Sequence, residues 1–261
     1  YNLEFPSVGA TQNLMMMASL AQGTSILKNV AREPEIEDLA NFLNQTGAKI
    51  EGAGTDTLRI EGVSQLNAIE YTVIPDRIEA ATFLCVAAIT RGDVILEQVN
   101  VEHIQDIIQI LMRVGFKLTI MDPRTVRIQT DGKALKGVTV KTEPFPGFST
   151  DNQAILMAVL SLINQKKSVM IENIFENRYM HVMELKRMGA MIDVTGSKAT
   201  IHGVDHLSGT AVKMMDLRGG AALLLAALAA DGETILYNIH HIQRGYDHIV
   251  RKLRLLGAKV E

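Results

Sequence analysis

Apolar and polar positions alternate in a cycle that recurs four times along the chain. The second cycle shows it most plainly. Tyr71 to Ile74 is a short β-rich run, Asp76 opens an apolar helix reaching about Thr90, and Gly92 supplies a left-handed stop. Val94 to Glu97 reads as a strand. Ile104, Ile107, Ile108 and Leu111 then fall at helical spacing up to Gly115, and Lys117 to Ile120 with Thr125 to Ile128 read as a two-strand meander around Pro123. The predicted unit is strand, helix, strand, helix, strand, strand. The first helices (Leu14 to Leu20, Ala80 to Ile89, Ala154 to Ile163, Ala221 to Ala229) are apolar round most of their circumference, which predicts that they lie buried together with sheets outside. The second helices are one-sided and belong nearer the surface.

Three landmarks fix the register of this repeat. A Leu-x-x-x-Gly phrase ends at Gly47, Gly115, Gly189 and Gly257, spaced 68, 74 and 68 residues apart. Some two dozen residues upstream stand Gly23 with Asn29, Gly92 with Gln98, Lys167 with Asn173 and Gly232 with Asn238; the third copy alone lacks the glycine. Sixteen residues before these come Ser7, Asp76, Asp151 and Asp216, all favourable helix N-caps. The fourth copy runs to Glu261, short of the closing meander strand. Residues 1–69 therefore read as the last repeat of one domain and residues 70–261 as a three-repeat domain whose last strand is missing. The chain starts at Tyr1 without an initiator methionine, which makes a piece of a longer protein the expected reading.

Composition narrows the function without naming it. In 261 residues, 26 basic against 29 acidic side chains give a net charge of -3, so no global positive field argues for nucleic acid. The longest strongly apolar run, Gly219 to Ala230, is short of the roughly 20 residues that span a bilayer, so no membrane partner is expected. One cysteine excludes an internal disulfide framework and fits a reducing compartment, so the expected location is cytoplasmic. Cys85 sits among apolar neighbours and reads as a small buried hydrophobe. His240, His241 and His248 lack the HExxH or Cys spacing of a zinc site, and no metal is expected. Met15 to Met17 reads as core packing. There is no GxxxxGK[ST] or GxGxxG, and Gly52 to Gly54 reads as a meander turn.

In a repeat this regular, chemistry is expected where copies differ at one topological address. The turns entering the first helices differ (Ser7-Val8-Gly9-Ala10, Pro75-Asp76-Arg77, Ser149 to Gln153, Asp216 to Gly220), as do those entering the second (Arg32-Glu33-Pro34, Asn100 to His103, Glu176 to Tyr179, Gln243 to Tyr246). Helix N-termini favour anions. With Arg77, Arg178, Arg218 and Arg244 there, the expected ligand carries phosphate or carboxylate, which guanidinium binds in bidentate fashion. Each residue also has a plain alternative: Asp76, Asp151 and Asp216 as N-caps, Arg32 as a surface partner of Glu33, and Ser7-Val8-Gly9 as a turn. Asp151 stands apart because the aromatic and proline-rich stretch Pro144 to Thr150 precedes it in no other copy.

Several of these phrases together carry a resemblance: Ala31-Arg32-Glu33-Pro34-Glu35-Ile36-Glu37-Asp38, Pro75-Asp76-Arg77-Ile78-Glu79, Thr150-Asp151-Asn152-Gln153, Phe175-Glu176-Asn177-Arg178-Tyr179-Met180-His181, Asp216-Leu217-Arg218 and Arg244-Gly245-Tyr246. From Ser7 onward the chain resembles the UDP-N-acetylglucosamine 1-carboxyvinyltransferases, the enolpyruvyl transferases also called MurA. The resemblance implies an α/β fold of inside-out α/β barrels built from repeated units. It implies transfer of enolpyruvate from phosphoenolpyruvate to the 3'-hydroxyl of UDP-N-acetylglucosamine with release of phosphate, without a cofactor, as the first committed step of peptidoglycan synthesis. It further implies Asp151 as general base, Arg218 and Arg244 on the phosphate or carboxylate of phosphoenolpyruvate, Arg178 joining on closure, Ser7, Val8, Gly9 and Ile174 on the sugar nucleotide, and Asp216 orienting Arg218. The family's mobile loop with its reactive cysteine or aspartate, and an upstream Lys-Asn pair, match nothing in this chain. The partner expected for this chain is thus the N-terminal segment of the same protein, and the chain alone is expected to be inactive and to form no fosfomycin adduct on Cys85. Two alternatives stand beside this reading: a non-catalytic sugar-nucleotide-binding fragment, and a shikimate-3-phosphate enolpyruvyl transferase.

Overall fold

The computed structural model describes residues 1–132 and 134–261, and these divide into two compact units. The first comprises residues 1–75 with 144–147, and the second residues 76–143 with 148–261. The division falls at Pro75/Asp76, beyond the expected 69/70, because Tyr71 belongs to the first unit. Its hydroxyl donates to the Asp38 carboxylate at 2.7 Å, and its ring stands edge-on to Phe42. The expected strand at 71–74 is accordingly absent, and these residues lie outside any sheet.

The first unit holds α1 (Val8–Ser19), β1 (Thr24–Lys28), α2 (Pro34–Gln45), β2 (Lys49–Glu51) and β3 (Thr57–Glu61). Its sheet is antiparallel in the order β1-β3-β2, and Ile36, Leu43, Leu58 and Ile60 fill the space beneath it. Pro34 stands at the start of α2, where its missing N–H costs nothing. Arg32 does not pair with Glu33. Its guanidinium donates to the Phe145 carbonyl at 3.2 Å, within the same unit.

The second unit runs α3 (Arg77–Ile89), β4 (Val94–Leu96), α4 (Gln105–Val114), β5 (Lys117–Asp122), β6 (Thr125–Gln129), β7 (Thr139–Lys141), α5 (Gln153–Leu160), β8 (Ser168–Ile171), α6 (Val182–Arg187), β9 (Met191–Thr195), β10 (Lys198–His202), β11 (Ala211–Lys213), α7 (Leu217–Ala229), β12 (Ile235–Tyr237), α8 (His240–Gln243) and α9 (Ile249–Leu255). Helices α3, α5 and α7 pack on one another, and all eight residues of α5 are buried. The sheets, ordered β4-β6-β5, β7-β8-β10-β9 and β11-β12, carry alternating buried and exposed positions, as in β10 and β6. Apolar helices thus lie inside and half-wet sheets outside, an inside-out α/β arrangement. Parallel pairing of β7 with β8 and of β11 with β12 is what a strand-helix-strand crossover produces.

The landmarks are backbone requirements. Gly47, Gly115, Gly189 and Gly257 adopt φ of 108°, 120°, 98° and 96°, and each follows a second helix of the cycle, where a left-handed residue lets amides reach back to the last carbonyls. In the second copy the left-handed residue after α3 is Arg91, at φ 56°, and not Gly92, which donates its N–H to the Ala87 carbonyl.

Candidate active site

The site begins with a helix start that departs from its siblings. Asp76 caps α3 by accepting from the N–H groups of Ile78 and Glu79, and Asp216 caps α7 by accepting from Gly219. Asp151 occupies the equivalent place in the repeat but does not cap. A 3₁₀ turn at Thr150–Asn152 precedes α5, and Ser149 takes the capping role by accepting from the Asp151 N–H at 3.2 Å. The Asp151 carboxylate is thereby left for other partners.

Two guanidinium groups take it. Arg178 donates to Asp151 Oδ1 at 2.6 Å and, through the same group, to the Thr150 carbonyl. Arg218, in the first turn of α7, approaches the same oxygen with Nε at 3.2 Å. The arginine side chains are 12% and 19% exposed and Asp151 is 35% exposed, so a charge cluster faces outward from a largely desolvated base. Burial alone would raise the Asp151 pKa, but Arg218 and then Arg178 outweigh it and hold the carboxyl below its ordinary value. Burial by itself would lower Arg218, and Asp151 with Tyr246 reverses that and raises it.

Neighbouring groups fix these arginines. Thr82 of α3 donates its hydroxyl proton to the Ile78 carbonyl, so the 2.9 Å bond between Thr82 and Tyr246 is donated by the tyrosine. The Tyr246 oxygen then remains to accept from Arg218, and burial first of all raises the tyrosine pKa. His181 is fully buried with its Nε2 unbonded, and desolvation lowers its pKa to about 4, so it is neutral beside Arg178 and Asp216. Asp106 accepts from the Ser149 N–H at 3.2 Å and Asn152 Nδ2 at 3.3 Å, anchoring the turn that carries Asp151, and burial raises its pKa. Arg178 stacks over the Phe175 ring at 4.8 Å, beside a cleft of about 660 Å³ lined by residues 172–180 with Val194, Gly196 and Ser197.

The structure brings Asp151, Arg178 and Arg218 together. Arg244 ends α8 exposed and forms no ion pair among the described residues. Asp216 caps α7 and does not bond Arg218, whose carboxylate partner is Asp151. Ile174 is partly buried and lines the cleft. Ser7, Val8 and Gly9 lie in the first unit at the start of α1: Ser7 caps it by accepting from the Ala10 N–H, and a side chain at Gly9 would meet open space. Cys85 is fully buried in α3 and burial raises its thiol pKa. Of the methionine run, Met15 alone is buried, because α1 rests on its sheet with one face; Met17 is 72% exposed. Asp106, Glu172, His181 and Tyr246 were not singled out from the sequence. Asp106, His181 and Tyr246 stand within a few residues of a helix start, whereas Glu172 follows β8 with no helix start nearby.

A partly buried carboxylate held between two guanidinium groups, one of them in the first turn of α7, thus sits on an inside-out α/β fold. Comparison with known proteins places that fold: residues 1–253 match the family EPSP synthase (3-phosphoshikimate 1-carboxyvinyltransferase), and the chain belongs to this family of enolpyruvyl transferases. It is 54% identical over 258 residues to UDP-N-acetylglucosamine 1-carboxyvinyltransferase 1 of Caldanaerobacter subterraneus subsp. tengcongensis and 52% identical over 260 residues to UDP-N-acetylglucosamine 1-carboxyvinyltransferase of Finegoldia magna. In both cases 99% of this chain is covered, and the chain spans 61% of the relative's length. The crystal structure of the enolpyruvyl transferase NikO from Streptomyces tendae is similar, with TM-score 0.88 and 28% identity, over 98% of this chain and 61% of that one.

Proposed function

We propose that this chain supplies the general base and part of the anion site of a UDP-N-acetylglucosamine 1-carboxyvinyltransferase. The observation that carries the reading is Asp151, released from capping by Ser149 and held between Arg178 and Arg218. The arginines keep Asp151 ionised and a weak base. Phosphoenolpyruvate offers phosphate and carboxylate oxygens that compete for the same guanidinium groups. As the arginines turn to the substrate, Asp151 loses its counterions and becomes basic enough to take the 3'-hydroxyl proton of the sugar nucleotide. The hydroxyl oxygen then bonds to C2 of phosphoenolpyruvate while C3 gains a proton. Return of a C3 proton to the base left by the acid that supplied it, with cleavage of the C2–O bond to phosphate, releases phosphate and leaves the enolpyruvyl ether. Arg218 and Arg178 stabilise the charge passing to the departing phosphate, and exposed Arg244 is free to swing onto the same anion.

The acid that protonates C3 comes from the part of the protein beyond these residues. Buried Cys85 is unsuited to it, and fosfomycin followed by intact-mass measurement should leave Cys85 unmodified. Residues 1–75 form the last repeat of one domain, and the exposed apolar face of α1 is where the rest of that domain packs. Ile174, which lines the cleft beside Arg178, contacts the sugar nucleotide. The substrates place the reaction in the cytoplasm, at the first committed step of peptidoglycan synthesis. No helix among the described residues is long and apolar enough to cross a membrane.

The test is phosphate release by the full-length protein from phosphoenolpyruvate with UDP-N-acetylglucosamine or with shikimate-3-phosphate, in wild type and Asp151→Asn. Release with the sugar nucleotide alone, lost in the variant, is expected. Preference for shikimate-3-phosphate would move the reading to the family's other named activity, and wild-type activity in Asp151→Asn would remove the base.

A further inference from the structure

Glu172 is a buried carboxylate, 5% exposed, and forms no ion pair among the described residues. It follows β8 and accepts four hydrogen bonds from neutral donors. Oε1 takes the Thr142 hydroxyl and the backbone N–H groups of Ile174 and Phe175, each at 2.9 Å, and Oε2 takes the Thr150 hydroxyl at 3.0 Å. One side chain thus ties together the end of β7, the loop leading to Arg178, and the turn carrying Asp151. A charged group away from water is costly unless its lone pairs are filled, and four donors are many to arrange for packing alone. The Thr150 carbonyl is in turn the second acceptor of Arg178, beside Asp151.

Resting on the reading of Asp151 as base, we infer that Glu172 is the positioning residue of the Asp151–Arg178 pair, acting through Thr150. Its carboxylate pins the Thr150 hydroxyl, which fixes the direction of the Thr150 carbonyl. That carbonyl, with Asp151 Oδ1, sets the plane of the Arg178 guanidinium. Because Glu172 also collects the amides of Ile174 and Phe175, a single group sets both ends of the Arg178 segment against the turn. The charged and titratable groups about the pair are Arg178 and Arg218 on Asp151, Tyr246 beside Arg218, Asp106 beneath the turn, His181 beside Arg178 with Asp216 next to it, and Tyr179 beside Glu172.

The sign of one titration separates the possible roles. Removing the Glu172 charge as a mere neighbour would make Asp151 easier to ionise and lower its midpoint. Removing a positioning residue lets Arg178 drift and raises it. A purely structural role lowers thermal stability and leaves the midpoint where it was. The experiment follows the Asp151 carboxyl carbon by NMR in the full-length protein, assigned with Asp151→Asn, in wild type and Glu172→Gln. A rise of about half a pH unit is expected. An unchanged or lowered midpoint overturns the inference. Should Glu172→Gln fail to fold, Thr150→Val, which deletes the linking hydroxyl and keeps the carbonyl, carries the same test with the same expected rise. In steady-state kinetics Glu172→Gln should lower kcat about tenfold, with a change in KM for UDP-N-acetylglucosamine several times smaller; kcat at the wild-type level would overturn the role in turnover. If the wild-type protein transfers no enolpyruvate, the functional reading falls, and the titration still decides what Glu172 does.

Discussion

Helices α1 and α5 occupy the same place in the repeat, yet α1, which carries Thr11, Gln12 and Asn13, is half bare and the more apolar α5 is fully enclosed. In α1 four of twelve residues are buried; in α5 all eight are. A helix apolar round its whole circumference can be satisfied only by neighbours on every side. In the second unit α3, α5 and α7 are those neighbours for one another. In the first unit α1 has its sheet on one side and exposes Met16, Met17 and Leu20 on the other. The enclosed arrangement also makes the site. Packing α5 against α7 puts the turn before one helix beside the first turn of the other, and Asp151 meets Arg218 there.

The largest effect expected from breaking this contrast is at the site. Asp151→Asn in the full-length protein should reduce turnover by about 10²- to 10⁴-fold, the usual range for a lost general base, while thermal unfolding shows a folded enzyme. Leu156→Ala, in the enclosed α5, should cost about 2–5 kcal/mol in chemical denaturation, because the close-packed helices cannot collapse into the cavity. A smaller, pH-dependent effect comes from His181. Its folded pKa is lowered to about 4, so below the ordinary histidine value the unfolded chain takes up a proton that the native state refuses. The stability it protects is whole above pH 6.5 and declines as pH falls toward 4, by up to about 3 kcal/mol. His181→Gln should flatten unfolding free energy against pH in that window. The lowered Asp151 pKa acts in a separate window, since its stabilisation is present above the ordinary carboxylate value and is lost as pH falls through the folded one. The smallest effect belongs to α1. Met17→Gln in the 261-residue chain should change stability by no more than about 0.5 kcal/mol, as at other exposed positions. A loss several times larger for the same change in the full-length protein would show that this face becomes covered there.

Much of this was legible in the sequence. The Leu-x-x-x-Gly phrases announced the repeat because each glycine meets a local need, a left-handed residue after a helix, that no distant contact has to supply. Asp76 and Asp216 read correctly as possible caps for the same reason. Asp151 was conspicuous from the unusual stretch before it, and the arginines from their shared address. Most of the misreadings share one cause. The strand at 71–74, the Arg32–Glu33 pair and buried Met16 and Met17 were each inferred from local preference, and in each case a neighbour distant in sequence, or the lack of one, decided otherwise; Gly92 differs, since the left-handed residue stands one position earlier, at Arg91. Glu172 and Tyr246 carried no local signal, since a glutamate after a strand and a tyrosine after a short helix are ordinary until their partners are known.

The sequence by itself determined the repeat, the type of each helix and the presence of arginines at helix starts, because periodicity, capping and backbone sign are set within a few residues. The tertiary structure alone decided that Asp151 is free rather than a cap, that Arg178 and Arg218 converge on one of its oxygens, and that Glu172 holds the turn between them. Those facts depend on which elements pack side by side, and on burial strong enough to make two guanidinium groups outweigh the desolvation of a carboxylate.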